Sequence, residues 1–239
     1  RHVIEKTLQE LSGFELMEAT DHRIKLTNLI AAENVDVHKS VLRLRLVMLA
    51  MHRDGLDAVI NGDTELARRV VSRDSEADKL FAMITRHFRR SLSNLYEVKK
   101  LEHSRDELFE YYYAARQFER IADHAEKMAG FTLNSEASIP KQYVEEFASL
   151  GKSTRGIIDD AADAILTGGG IEAANGALGK YDRLQDQLDD VDRELYDHDV
   201  PGEAYVLGLV LDSLRRTAEY GVNVATIAIQ QSTRQNADS

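Results

Sequence analysis

The chain has 239 residues, 43% of them hydrophobic, with no cysteine and a formal net charge of −11. That length suits two units of a hundred-odd residues, each able to bury a core without covalent staples. The absence of cysteine excludes disulfides, CxxC redox chemistry and thiolate metal sites and fits a reducing, cytoplasmic setting, while the acidic balance disfavours direct nucleic-acid binding and docking on anionic lipid.

No apolar run approaches the roughly 18 residues that a membrane span requires, so no membrane insertion is expected. The chain shows no signal peptide, and it opens with Arg1, as expected of a piece processed or cut from something longer. In chain order, residues 1–12 pattern as a short amphipathic helix with Val3, Ile4, Leu8 and Leu11 on one side. Two short runs, Phe14-Glu-Leu-Met-Glu18 and Arg23-Ile-Lys-Leu-Thr27, flank a turn near Asp21 and predict a small β-hairpin. Residues 1–35 thus read as a helix and hairpin, too small to be a domain.

From Val37 the pattern is helical. A first helix stops at Asn61-Gly62, a turn signal, and a second starts at Asp63, a good N-cap, and runs to about 96. Its expected inward stripe is Leu66, Val70, Ala77, Phe81, Ile84, Phe88, Leu92 and Leu95. A third opens with the capping box Ser104-x-x-Glu107 and runs to about 131, with Leu108, Tyr112, Ala115, Phe118, Ala122, Ala125 and Ala129 inward. The polar segment 132–140, ending in Pro140, is the expected linker. Three helices then recur: about 141–167, broken by Gly168-Gly169-Gly170; about 171–196; and from Pro201 to about 231, with a frayed end. The prediction is an all-α chain of two tandem antiparallel three-helix bundles, 36–134 and 140–232. The helix bearing Phe118–Ala129 matches the one bearing Leu214–Ala225 in register, as an internal repeat would.

Chemistry concentrates in two acidic pairs, Asp74 with Asp78 and Glu119 with Asp123. A spacing of four puts each pair on one helix face, and the helical angle puts Asp74 and Glu119 within the apolar stripes. Carboxylates near a core are costly unless paired or bound to metal. Four of them on neighbouring helices would make an oxygen cage for iron, manganese, magnesium or calcium. The competing reading is a salt-bridge network with Arg73, Arg116 and Arg120. His124 points away from the stripe and reads as a surface or supporting residue. No HExxH, ExxH, P-loop or GxSxG pattern occurs, so the chain reads as a non-enzyme. Three consecutive tyrosines, Tyr111 to Tyr113, splay around their helix and read as packing.

The run Tyr113-Ala-Ala-Arg-Gln-Phe-Glu-Arg-Ile-Ala-Asp-His-Ala-Glu-Lys-Met-Ala129 resembles the signature helix of PhoU-family proteins, and Gly62-Asp-Thr-Glu-Leu-Ala with the later Asp74-Ser-Glu-Ala-Asp78 resembles that family's preceding helix. The resemblance covers about 37–231, strongly in the first bundle. It implies two tandem three-helix bundles and a cytoplasmic negative regulator of phosphate uptake and signalling that acts on a phosphate ABC transporter or an associated signalling protein. It also implies metal held by one acidic set per bundle: Asp74, Asp78, Glu119 and Asp123 in the first, and in the second only Asp182, Asp186 and Glu219, weakened by Arg215 where the motif has a carboxylate. A divalent or iron-type ion is the expected cofactor, and a homodimer the expected assembly. The first 35 residues resemble the connector of archaeal PhoU-like proteins carrying an AbrB-type DNA-binding domain. That leaves an alternative function, the effector or oligomerisation module of a transcription regulator whose DNA reader lies outside this chain. A carboxylate-bridged metal enzyme is a third reading, opposed by the missing ExxH pattern.

Overall fold

The computed structural model describes residues 14–19, 24–28, 36–93, 103–134, 139–196 and 199–237. Strands β1 (Phe14–Ala19) and β2 (Ile24–Asn28) pair antiparallel with Leu16 opposite Leu26. The turn that would join them, and the helix expected over 1–12, fall outside the described residues.

The rest is helical, and local chemistry sets most of the ends. Helix α1 (Val37–Asn61) starts where the Asp36 side chain accepts from the Lys39 N–H and stops at Gly62, whose φ of 65° is cheap only for glycine. Helix α2 (Thr64–Ser93) follows at once, with Asp63 Oδ1 accepting from the Leu66 N–H at 2.9 Å. The capping box of α3 (Arg105–Asn134) is complete: Glu107 N–H donates to Ser104 Oγ at 3.1 Å, and Ser104 N–H donates to Glu107 Oε2 at 2.7 Å. This helix overruns the expected linker: Thr132 is buried against the bundle and Asn134 donates from its amide to Gly130 O. A single 3-10 turn (Lys141–Tyr143) leads into α4 (Val144–Leu166), and Gly168 and Gly170, both at positive φ, turn the chain into α5 (Gly170–Tyr196). Helix α6 (Pro201–Ala237) continues past the expected end near 231, because its tail holds neither glycine nor proline to stop it.

Helices α1, α2 and α3 pack on one another, as do α4, α5 and α6. The α3 stripe is inward as expected: Leu108, Ala115, Phe118, Ala122, Ala125 and Ala129 are buried, and Tyr112 stacks on Phe88 at 4.8 Å. The α2 stripe is corrected at its end. Val70, Ala77 and Ile84 are buried, but Leu92 is 59% exposed and Ala67, Leu80, His87 and Ser91 take inward places; Leu95 lies outside the described residues.

The two bundles join through α3 against α6 and α1 against α4, leaving α2 and α5 on the outside. Leu56 fills the space left by Gly151, where a Cβ would sit 2.1 Å from Leu56 Cδ2. Arg45 reaches from α1 to two carboxylates of α4, Asp163 at 2.8 Å and Asp159 at 2.9 Å. His52, fully buried, meets Thr217 Oγ1 of α6 at 3.3 Å. No helix of the described residues is long and apolar enough to cross a membrane.

Candidate functional site

Five carboxylates share the seam between α2 and α3. Asp74 and Asp78 stand one turn apart on α2. Glu119 and Asp123 do the same on α3, and Glu126, which belongs to neither pair spaced by four, follows within a turn of Asp123. Asp74, Glu119 and Glu126 are partly buried, while Asp78 and Asp123 reach water.

Burial pushes the Asp74 carboxyl up to about 7, and the charges of Glu126, Asp78, Asp123 and Glu119 add to the effect. Glu119, Asp123 and Glu126 are each raised as well, first by burial and then by their acidic neighbours; Arg116 and Arg120 offset part of this at Glu119, and Arg120 does so at Asp123. Asp74 Oδ1 is buried without a hydrogen-bond partner.

Among the described residues, no arginine of the competing reading forms an ion pair with the seam. Arg73 turns to Asp54 of α1 at 2.9 Å, and the Arg120 guanidinium lies 5.5 Å from the centre of the Tyr220 ring on α6. Arg116 is exposed and reaches Glu119 only through its longer-range field. Among the described residues none of the five carboxylates forms an ion pair. The cluster is therefore a concentration of negative charge without a matching cation. Its hard oxygen donors and the orphaned Asp74 oxygen suit a hard metal ion, although no three acidic or histidine side chains among the described residues gather closely enough to form a ready coordination shell.

Comparison with known proteins fixes the frame. Residues 41–132 match the family model described as PhoU domain. The chain carries a PhoU domain. The fold is similar to that of the phosphate transport system regulatory protein PhoU from Streptococcus pneumoniae, at 16% identity and a TM-score of 0.69, over 83% of this chain and 94% of that one. It is also similar to PhoU from Pseudomonas aeruginosa, at 20% identity and a TM-score of 0.60, over 85% of this chain and 98% of that one. No curated protein matches the sequence.

The PhoU domain holds the acidic seam; the second bundle repeats its scaffold without its charges. Aligning buried Ala67, Val70, Ala77 and Ile84 with buried Ala174, Ala177, Leu184 and Val191 puts Tyr181 and Gln185 in the places of Asp74 and Asp78. Aligning Phe118 and Ala122 with Leu214 and Ala218 puts Arg215 and Glu219 in the places of Glu119 and Asp123. Gln185 donates to the Tyr181 hydroxyl at 3.0 Å, Arg215 pairs with Asp189 at 2.8 Å, and Glu219 pairs with Arg216 at 3.2 Å. Asp182 and Asp186 are exposed, one position beyond the matching pair. The two aspartates were what the family resemblance implied; the burial register is the signal that finds Tyr181 and Gln185. His124 does turn away from the acidic seam, but toward the other bundle, where its ring lies 5.8 Å from Tyr220.

Proposed function

We propose that this chain regulates phosphate uptake or phosphate signalling by contact with a phosphate transporter or an associated signalling protein, and that the acidic seam of its PhoU domain takes up a metal cation. The PhoU domain at residues 41–132 supports the regulatory half. The single observation that carries the metal half is the Asp74 cluster, whose carboxylates lack a basic partner and lift one another's affinity for protons. Asp74, Asp78, Glu119, Asp123 and Glu126 would hold the ion, and a divalent ion supplies the positive charge that the seam lacks. The role is one of binding, with the helical surface as its working part.

Elemental analysis of protein purified without chelator tests the metal half, beside a variant carrying Asp74→Ala and Glu119→Ala. The expected result is stoichiometric metal in the parent and its loss in a variant that keeps its helical circular dichroism. A parent that stays metal-free after incubation with iron, manganese and calcium would overturn the cation site and leave the regulatory half to be tested by phosphate uptake in cells lacking the gene.

A further inference from the structure

The second bundle carries a feature of the opposite sign. On α4, Ser149, Lys152, Ser153 and Gly156 recur at the three-and-four spacing of one helix face. On α5, Lys180, Arg183 and Gln187 do the same, and the two strips face each other across a groove of about 440 Å3.

In a chain of net charge −11, this groove is lined by three cations and no carboxylate. Lys180 is shared with Asp160 beside the groove, at 2.6 Å. Lys152 and Arg183 make no ion pair or hydrogen bond among the described residues. The remaining polar lining, two serine hydroxyls and the Gln187 amide, can also donate hydrogen bonds. Gly156 opens the floor: a Cβ there would meet only the Lys180 ammonium, at 3.8 Å. Unpaired lysines and arginines on a convex surface are merely hydrated. Here they converge on a concavity with donors on both walls, the arrangement that recognises oxyanions. No aromatic ring lines the groove to stack a base, and its volume exceeds that of one phosphate.

We propose that the groove between α4 and α5 binds a compact polyanion bearing more than one phosphoryl group, anchored by Lys152, Arg183 and Lys180. The inference stands on these charges and not on the regulatory reading, and the two fail separately.

Titration calorimetry with pyrophosphate on the metal-free full chain tests it. Saturable one-to-one binding is expected, weakening as salt is raised. Affinity should fall at least about tenfold in a Lys152→Glu, Arg183→Glu double variant, whose positions are exposed, and remain within about twofold for Arg68→Glu on the first bundle. A Gly156→Met variant, which fills the groove at constant charge, should also lose binding. The proposal is overturned by absent saturable binding, by an equal loss in Arg68→Glu, or by full affinity in Gly156→Met, which would mean a diffuse field rather than a site.

Discussion

With its carboxyl raised from 3.8 to about 7, Asp74 makes folded protein bind a proton more tightly than unfolded protein does. The stability it contributes is therefore fully present below its unfolded value and is lost as pH rises through about 7. His52 acts in the opposite sense. Thr217 directs its hydroxyl hydrogen to Ser213 O or Leu214 O, so His52 donates from Nε2, and its Nδ1 is left buried without a partner. Burial, with Arg155 and His124 nearby, lowers its value from 6.5 to about 3, so the stability it contributes is lost as pH falls below 6.5. The parent's pH profile mixes the two, and the difference between parent and Asp74→Asn isolates the carboxylate. At pH 8 and without metal, Asp74→Asn should stabilise the protein by about 1–2 kcal/mol, the full shift being discounted for solvent screening, with the gain vanishing near pH 4. Denaturant midpoints at the two pH values check this, and a gain that persists at pH 4 would mean that charge is not its cause. At this scale the sequence showed the four paired carboxylates, because a spacing of four is visible in a string. The burial of His52 was hidden, because the atoms that cover it come from the other bundle.

Between elements, α1 comes against the backbone of α3 at Gly55. A Cβ on Gly55 would sit 2.7 Å from Ala125 O, and a backbone oxygen cannot swing aside as a side chain can. Gly55→Ala should cost about 1–3 kcal/mol despite the better helix propensity of alanine, read as a lower denaturant midpoint with an unchanged slope. A neutral result would show that α1 and α3 can part at this point. Helix starts were legible because their signals are local: Asp63, the Ser104 and Glu107 box, and Pro201 each act within one turn. The ends at Asn134 and Ala237 were misplaced because no glycine or proline marks them, and Thr132 is held in helix by packing that no window of sequence contains. The last turn of α2 drifted for the same reason, since Ser91 replaces Leu92 on the inward line.

At the scale of the whole molecule, the bundles are held together by a contact that mixes apolar and charged groups. Arg45, only 15% exposed, clamps α1 to α4 through Asp159 and Asp163. Arg45→Met keeps much of the apolar stem but leaves Asp159 without its partner and Asp163 with only the Thr167 hydroxyl, and should cost about 1–3 kcal/mol. Chemical denaturation measures the cost, and raised salt should narrow the gap between variant and parent. The tandem bundles were legible from helix lengths and a central linker. Which faces meet was not, because Leu56 and Gly151 announce their fit only once both bundles exist. The charge asymmetry between the halves was half legible: Arg215 in place of a carboxylate was visible, but Tyr181 and Gln185 emerged only from the burial register.

The face of α1 and α3 that carries His52, Leu56 and Gln117 is closed by residues far along the chain, among them Gly151, Thr217 and Asn223. During synthesis, α1, α2 and α3 have one another as partners before α4 has left the ribosome, so the first bundle can assemble while the second is still unmade. Until α6 emerges that half carries an uncovered face, with an imidazole bound for full burial still in water. A chain stalled at this stage is a folded body with a sticky side, and a holdase or another stalled chain is its natural cover.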